Sequence, residues 1–464
     1  MVRLFRIFIP VSILLLLISE VLLIILSFVA AAFLNPIIDP VTYLLSGKAP
    51  LNIAVVLITI LTGLYLQDLY SEIYVKSHRF LLQQLCVVMG AACIVQALVN
   101  YVNPELRMPL HTLAPGAGIA MAVIYGWRLF FASYLLKRVG GDRLLLVGST
   151  ALLADVADRI RTHPEMGLSV IGLVNDDPED PDAPRQVKYL GPLDSLVEIV
   201  TATRPSRIVV GMKERRNRAG VTDALLQLRY SGNIIEEAPT AFERICGRVS
   251  TNQLRPSQLI YSGDFSGRRQ IILYQTLGNI IVSAIAIVVA FPLMLLTALA
   301  VRLSSAGPVL YRQKRVGMDE VPFILYKFRS MRADAELGTG AVWAVKDDPR
   351  VTRVGRIIRK FRLDELPQLF NVLRGEMSIV GPRPERPEFV KTLAKEIPYY
   401  RQRHAVRPGI TGWAQINFKY GDTLEDSITK LEYDLYYIKN MSWSLDSYII
   451  FHTLKAMLLS RGAQ

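Results

Sequence analysis

At 464 residues the chain has room for two to four domains. It is 51% hydrophobic with positive mean hydropathy, which excludes a wholly water-soluble protein and places part of the chain in lipid. The formal charge of +13 calls for anionic partners, whether phospholipid, a nucleotide diphosphate or nucleic acid, while three scattered cysteines and five dispersed histidines support neither a disulfide framework nor a metal site.

Four apolar stretches come first, Ile7 to Leu34, Ile53 to Leu69, Phe80 to Val102 and Leu113 to Leu136. Each is close to the roughly 20 residues that cross a bilayer as a helix. Arg3 and Arg6 precede the first, Lys76 and Arg79 lie between the second and third, and Lys137 and Arg138 follow the fourth. The other two loops carry only Lys48 and Arg107, so the positive-inside rule puts both ends of this bundle in the cytoplasm. Glu20, near the middle of the first stretch, is expected to have an interhelical partner, since no second acid or base stands at membrane depth in the other helices.

From Gly141 the pattern turns soluble. RLLLVGS, VIGLVNDD and RIVVGM read as buried strands, separated by helical ALLADVADRIRTH and a helix around Leu193 to Ala202. Strands alternating with helices imply a parallel, doubly wound sheet. The first turn, GSTALLA, keeps Gly148 but lacks the other two glycines of a dinucleotide fingerprint, and no tyrosine has a lysine four residues later. A non-catalytic scaffold, dimerisation or regulatory unit is expected, with nucleotide binding left open.

A fifth apolar stretch, Ile271 to Val301, has Pro292 near its centre and bases on both sides: Arg268 and Arg269 before it, Arg302, Arg312, Lys314 and Arg315 after it. Positive charge at both ends argues for a re-entrant helix that breaks at Pro292 and leaves on the side it entered. A kinked true crossing is the alternative.

Beyond it, Arg350, Arg353, Arg356, Arg359, Lys360 and Arg362 crowd thirteen residues with no acid among them, which calls for phosphate or lipid headgroups alongside. RLDELPQLFNVLRGEMSIVGPRPE follows, with the adjacent pair Asp364 and Glu365. Asp364 suits the N-cap of a helix running through LPQLFNVLR and stopped by Gly375. A carboxylate ringed by arginines is also held ionised and can attack phosphorus, with Glu365 helping to hold Mg²⁺. Both readings fit the same two residues.

These segments, with YRQKRVG and YKFRSM upstream and RPGITGWAQIN downstream, closely resemble the bacterial sugar transferases known as monotopic polyprenyl-phosphate phosphoglycosyl transferases. The resemblance runs from about Arg268 to the C-terminus. Four helices and a degenerate Rossmann-like domain in front match the long, exopolysaccharide-initiating members. It implies transfer of sugar-1-phosphate from a UDP-sugar to undecaprenyl phosphate with release of UMP. Asp364 would be the nucleophile forming a covalent phosphosugar adduct, Glu365 the Mg²⁺-associated acid, and Arg359 and Lys327 members of the same cluster. Pro382, Arg383 and Pro384 would lie on the nucleotide side, and the motif bases Arg312, Arg315 and Arg329 on the substrate-binding side. The family's re-entrant helix commonly breaks at Ser-Pro; this chain has Phe291-Pro292.

The expectation is therefore a mixed membrane protein in three parts. Residues 1–138 form four transmembrane helices, 139–262 a doubly wound Rossmann-like domain, and 268–464 a mostly helical monotopic catalytic domain with a re-entrant helix at about 271–303. It would sit in the bacterial inner membrane with both soluble parts facing the cytoplasm, in contact with membrane lipid and open to a homodimer through its middle domain. The final stretch, WSLDSYIIFHTLKAMLLSRG, would lie along the interface or pack as a core helix. Rival readings are a metal-dependent glycosyltransferase releasing UDP, using Asp347-Asp348 or Asp176-Asp177, and a nucleotide-binding membrane sensor. The basic run lacks interleaved aromatics beyond Phe361, so no nucleic acid is expected.

Overall fold

A computed structural model describes residues 2–4, 7–9, 11–37, 39–45, 49–70, 77–103, 108–135, 142–177, 179–212, 219–254, 269–332, 335, 348–418 and 423–459. Arg6, Lys48, Lys76, Arg107, Lys137, Arg138, Arg268 and Asp347, used in the sequence reading, lie outside the described residues. Packing divides the chain into two units, with the boundary between Ala238 and Pro239.

In the first unit the apolar stretches form α1 (Val11–Phe33), α2 (Ala49–Leu66), α3 (His78–Val102) and α4 (Leu110–Phe130), the last continued by a π-turn to Leu135. Each is long and apolar enough to cross a membrane. Glu20 on α1 is fully buried, and its partner overturns one expectation: Arg128 on α4 lies at the same depth. The Arg128 Nε is 2.6 Å from Glu20 Oε1, Nη2 donates to Oε2 at 3.1 Å, and the Tyr70 hydroxyl donates to Oε2 at 2.6 Å. Arg128 was hidden in the sequence because it sits near the end of an otherwise apolar run, where a base reads as a flank.

The same unit contains a five-stranded parallel sheet. Its strands are β1 (Asp142–Val147), β2 (Leu168–Val174), β3 (Tyr189–Gly191), β4 (Arg207–Val210) and β5 (Ile235–Glu237), in the order β3-β2-β1-β4-β5. That is a doubly wound order, with α5 (Ala151–Thr162), α6 (Leu196–Thr203) and α7 (Ala219–Tyr230) as connections. Gly148, at the end of β1, has φ +89°, and a Cβ there would collide with the carbonyl of Gly211 after β4. Next to it Ser149 donates to the Asp180 carboxylate at 2.6 Å, both residues being buried. An acid therefore stands where a dinucleotide-binding turn presents donors to pyrophosphate.

The second unit opens with α8 (Ala238–Cys246), which follows β5 directly. Residues 239–254, grouped by sequence with the Rossmann-like domain, pack with the catalytic segments instead: Val249 and Leu254 share a core with Trp413, Leu431 and Tyr437. Then comes α9 (Arg269–Ser304), 36 residues with Pro292 inside. Both flanks of α9 touch the same unit. Near its start Asn279 donates to Ser378 Oγ at 2.8 Å and Gln275 donates to Asp446; near its end Met294 and Val301 pack on Phe328 and Ile358. Between them Ile285, Val288, Val289, Phe291 and Leu296 are exposed.

The rest is a scaffold of short elements. β6 (Leu310–Val316) and β7 (Pro322–Phe328) form an antiparallel hairpin with Tyr311 opposite Lys327. Next come α10 (Arg353–Lys360) and α11 (Gln368–Leu373), then β8 (Ser378–Val380), which pairs in parallel with β9 (Gly409–Thr411). The remaining helices are α12 (Pro387–Glu396), α13 (Trp413–Asn417), α14 (Leu424–Asn440) and α15 (Trp443–Leu458). Leu445 and Ile449 of α15 are buried while Trp443, Phe451 and Leu454 are exposed, so this helix has both a core face and an apolar outer face.

Candidate active site

α10 begins where Thr352 accepts the Gly355 N–H at 2.8 Å, an N-cap that fixes the phase of the basic run. The run then splits between two faces. Arg353, Arg356 and Lys360 are exposed beside Ile357 and Phe361, whereas Arg350, Arg359 and Arg362 turn into a cavity of about 1170 Å³. Arg362, at φ +57°, reverses the chain into a single 3₁₀ turn, Leu363–Glu365. Asp364 lies inside that turn rather than capping a helix: α11 starts at Gln368 with Pro367 before it, and Gly375 ends it at φ +74°. The N-cap expectation for Asp364 fails because the αL residue at 362 starts the turn one residue early.

The turn delivers two differently placed carboxylates. Asp364 is buried and opens on the cavity. Glu365 is gripped through one oxygen: Lys327 Nζ donates to its Oε1 at 3.1 Å, and Arg362 Nη1 and Arg383 Nη2 each stand 3.5 Å from the same atom. Burial alone would raise the Glu365 carboxyl, but Lys327, Arg383 and Arg362 hold it well below the usual carboxylate range. Asp364 goes the other way. Burial, and then the charge on Glu365, raise it despite Lys327, Arg359 and Arg362. The sequence suggests that the arginines serve Asp364; in the fold the ion pairs of Lys327, Arg362 and Arg383 are made with Glu365, while both carboxylates face the same cavity.

Lys327 is set in place by a residue the sequence reading missed. Asn371 on α11, with no exposed surface, accepts the Tyr326 N–H at 3.1 Å and donates to the Ile324 carbonyl at 2.7 Å, stitching α11 to β7. The Arg359 Nε donates to Ser330 Oγ at 2.9 Å. Arg312, Arg315, Lys327, Arg329, Arg359 and Arg383 all line the cavity with Asp364 and Glu365. Arg329 also holds the end of α9, its Nη2 donating to the Ser305 carbonyl at 2.7 Å. Pro382 and Pro384 stand beside the cavity without lining it: their carbonyls accept from Gly409 N–H at 2.9 Å and Arg315 Nη1 at 3.0 Å, so they shape the turn that presents Arg383. Pro292 is on α9, outside the lining.

The cavity lining also includes a buried pair that no spacing announced. Arg403 donates to Asp434 at 2.8 Å and, through Nη2, to the Arg383 carbonyl at 3.1 Å. Burial raises the Asp434 carboxyl to about 6 against the pull of Arg403. The rival acid pairs are otherwise engaged: Asp348 chelates Arg350, and Asp176 accepts the Leu193 N–H at 3.1 Å. Among the described residues no three His, Cys, Asp or Glu side chains form a metal-binding group. The closest approach of all three cations to Glu365 is at Oε1, and Glu365 is the cavity carboxylate that would help to hold a Mg²⁺.

A cation-walled cavity with a buried carboxylate on its floor, hung from an apolar helix, defines an enzyme that handles phosphate groups at a membrane. Comparison with known proteins narrows the class. Residues 271–460 match the sequence model of the bacterial sugar transferases. The chain is 46% identical over 222 residues to a UDP-N-acetylgalactosamine-undecaprenyl-phosphate N-acetylgalactosaminephosphotransferase of Aeromonas hydrophila, covering 48% of this chain and 52% of that protein. A UDP-glucose:undecaprenyl-phosphate glucose-1-phosphate transferase of Xanthomonas campestris pv. campestris is 35% identical over 334 residues, 69% of this chain and 68% of that protein. An exopolysaccharide production protein, PSS, of Rhizobium leguminosarum bv. phaseoli is 44% identical over 189 residues, 40% of this chain and 94% of that protein. The chain belongs to the bacterial sugar transferase family.

Proposed function

We propose that the protein transfers sugar-1-phosphate from a UDP-sugar to undecaprenyl phosphate and releases UMP, as an early membrane step of exopolysaccharide or related glycan assembly. The observation that carries this is Asp364: a buried carboxylate open to a cationic cavity, with its neighbour Glu365 immobilised by three cations. The relatives' names support the donor and acceptor classes. In the first step an Asp364 carboxylate oxygen attacks the β-phosphorus, the phosphoanhydride breaks, and UMP leaves with the bridging oxygen. In the second, an oxygen of undecaprenyl phosphate attacks the same phosphorus, giving the lipid diphosphosugar and restoring the carboxylate. One phosphoanhydride replaces another, so the chain's task is to position and neutralise charge. Arg359, Arg362 and Lys327 would do so near the dyad, and Arg383 and Arg315, which line the same cavity, would do so along the donor. Glu365 would help to hold a Mg²⁺, which when bound would add charge neutralisation on the diphosphate.

The membrane arrangement belongs to the same proposal. The four N-terminal helices would cross the inner membrane, and α9 would enter and leave on the cytoplasmic side; the helix runs through Pro292 without the expected break, so the proline would bend it rather than interrupt it. What supports re-entry is that both flanks of α9 pack on the same unit, Asn279 on Ser378 near its start and Met294 and Val301 on Phe328 and Ile358 near its end. The exposed face of α10, with Arg353, Arg356, Lys360, Ile357 and Phe361, suits anionic headgroups. A homodimer through the Rossmann-like domain is part of this reading.

The test uses purified protein with Mg²⁺, undecaprenyl phosphate and UDP-sugars that include glucose and N-acetylgalactosamine donors. UMP release by the wild type, lost about a thousandfold or more in Asp364→Asn, is the expected result. UDP release would mean ordinary glycosyl transfer, and turnover surviving in Asp364→Asn would remove the covalent step.

A further inference from the structure

Residues 239–254 precede the segment matched by the family, which starts at 271. They nonetheless grip α13 and α14 at every turn. Glu243 on α8 pairs with Lys439 Nζ at 2.7 Å and accepts from Asn440 Nδ2 at 3.1 Å. The Trp413 indole donates to the Gly247 carbonyl at 2.7 Å, and Gly247, at φ +65°, lies against that ring. The Val249 N–H donates to the Glu432 carbonyl at 3.0 Å, and the Thr251 N–H to the Glu432 carboxylate at 3.0 Å.

The cavity uses the other side of the same helices. Gln415, Lys430 and Asp434 line it. Glu432 and Asp434 are two residues apart, about 200° around a helix, so one meets the 239–254 segment while the other meets the cavity. From Asp434 the contacts run on without a gap: to Arg403 at 2.8 Å, from Arg403 to the Arg383 carbonyl at 3.1 Å, and from Arg383 to Glu365 at 3.5 Å.

We infer that residues 239–254 are a positioning strap for the donor-nucleotide end of the catalytic cavity, setting α13 and α14 so that Asp434 and Arg403 hold the Arg383 turn; this rests on the proposed use of a UDP-sugar. The strap touches no substrate. It fixes the wall that does, and its loss weakens donor binding while leaving the acceptor end near α9 as it was.

The test is UDP binding to the full-length protein in detergent, read as Kd, alongside KM for undecaprenyl phosphate, UMP release and the thermal midpoint. Glu243→Ala and Trp413→Phe each remove one or two hydrogen bonds and are expected to raise the Kd for UDP about three- to tenfold, with the acceptor KM unchanged. Glu243→Lys should do the same, and combining it with Lys439→Glu should restore tight binding. Should a single variant not fold, the charge-swapped pair and Trp413→Phe still decide the matter. Folded variants that bind UDP as the wild type does, or a lowered midpoint with unchanged Kd, would overturn the strap. So would a wild type that does not bind UDP. A wild type that binds UDP but releases no UMP would instead count against the transfer reaction and leave the strap to be judged on binding.

Discussion

Asp364 and Glu365 are neighbours in sequence with opposite electrostatic fates, and the difference bears on pH. In the proposed reaction only ionised Asp364 can attack phosphorus, so activity should fall as pH drops through its raised titration point. Glu365→Gln removes the negative charge that is the second cause of that rise. With less repulsion the anion forms more readily, so the acid limb of kcat/KM should move to lower pH even as kcat declines. A limb that stays put would mean burial alone sets Asp364; one that moves up would mean Glu365 stabilises the anion. The dyad was legible because it is contiguous and flanked by motif bases. Arg403–Asp434 was not, since a pair 31 residues apart leaves no trace in local spacing. Nor was Asn371, because a buried amide that ties α11 to β7 reads as an ordinary helix residue until its partners are in place.

Periodicity and hydropathy located the five long apolar helices to within a few residues, since a 20-residue apolar run admits few alternatives, but not α14, whose mixed polarity carries no such signal. The short elements of the catalytic unit were harder. The hairpin β6–β7, the 3₁₀ turn and the three-residue pair β8–β9 are defined by their neighbours rather than by any pattern of their own. The re-entry of α9 is best decided at this scale. Leu273→Cys and Leu303→Cys, both exposed positions on opposite flanks, should react alike in a background where Cys86, Cys93 and Cys246 are replaced. Both should be shielded from a membrane-impermeant thiol reagent outside intact cells and labelled in inside-out vesicles. Opposite labelling of the two sites would make α9 a true crossing.

The division of the whole chain at Ala238–Pro239 falls earlier than composition implies, because the soluble pattern that starts at Gly141 runs on through α8 without a break. Composition records polarity and not which core a segment joins. A relative covered over 94% of its length by 40% of this chain shows that a protein of about this unit's length occurs without the rest of the chain. A fragment of residues 239–464 should therefore keep UMP release within about tenfold of the full chain. A fragment of residues 269–464, which leaves the Trp413 indole and Glu432 without the partners supplied by 239–254, should melt several degrees lower, about 4–8 °C for each ~1 kcal/mol lost in a domain of about 100 residues and somewhat less in this larger one. Equal melting of the two would mean that the early segment is an accessory. The placement of the cavity has a further consequence. Ser305, just past the end of α9, is bonded to Arg329 in the cavity wall, so in the proposed reaction Asp364 would be held at a set height above the lipid plane. A lipid acceptor would then search for its enzyme in two dimensions with its tail still dissolved in the bilayer, and turnover would follow the mole fraction of carrier in the surface rather than its amount in the volume.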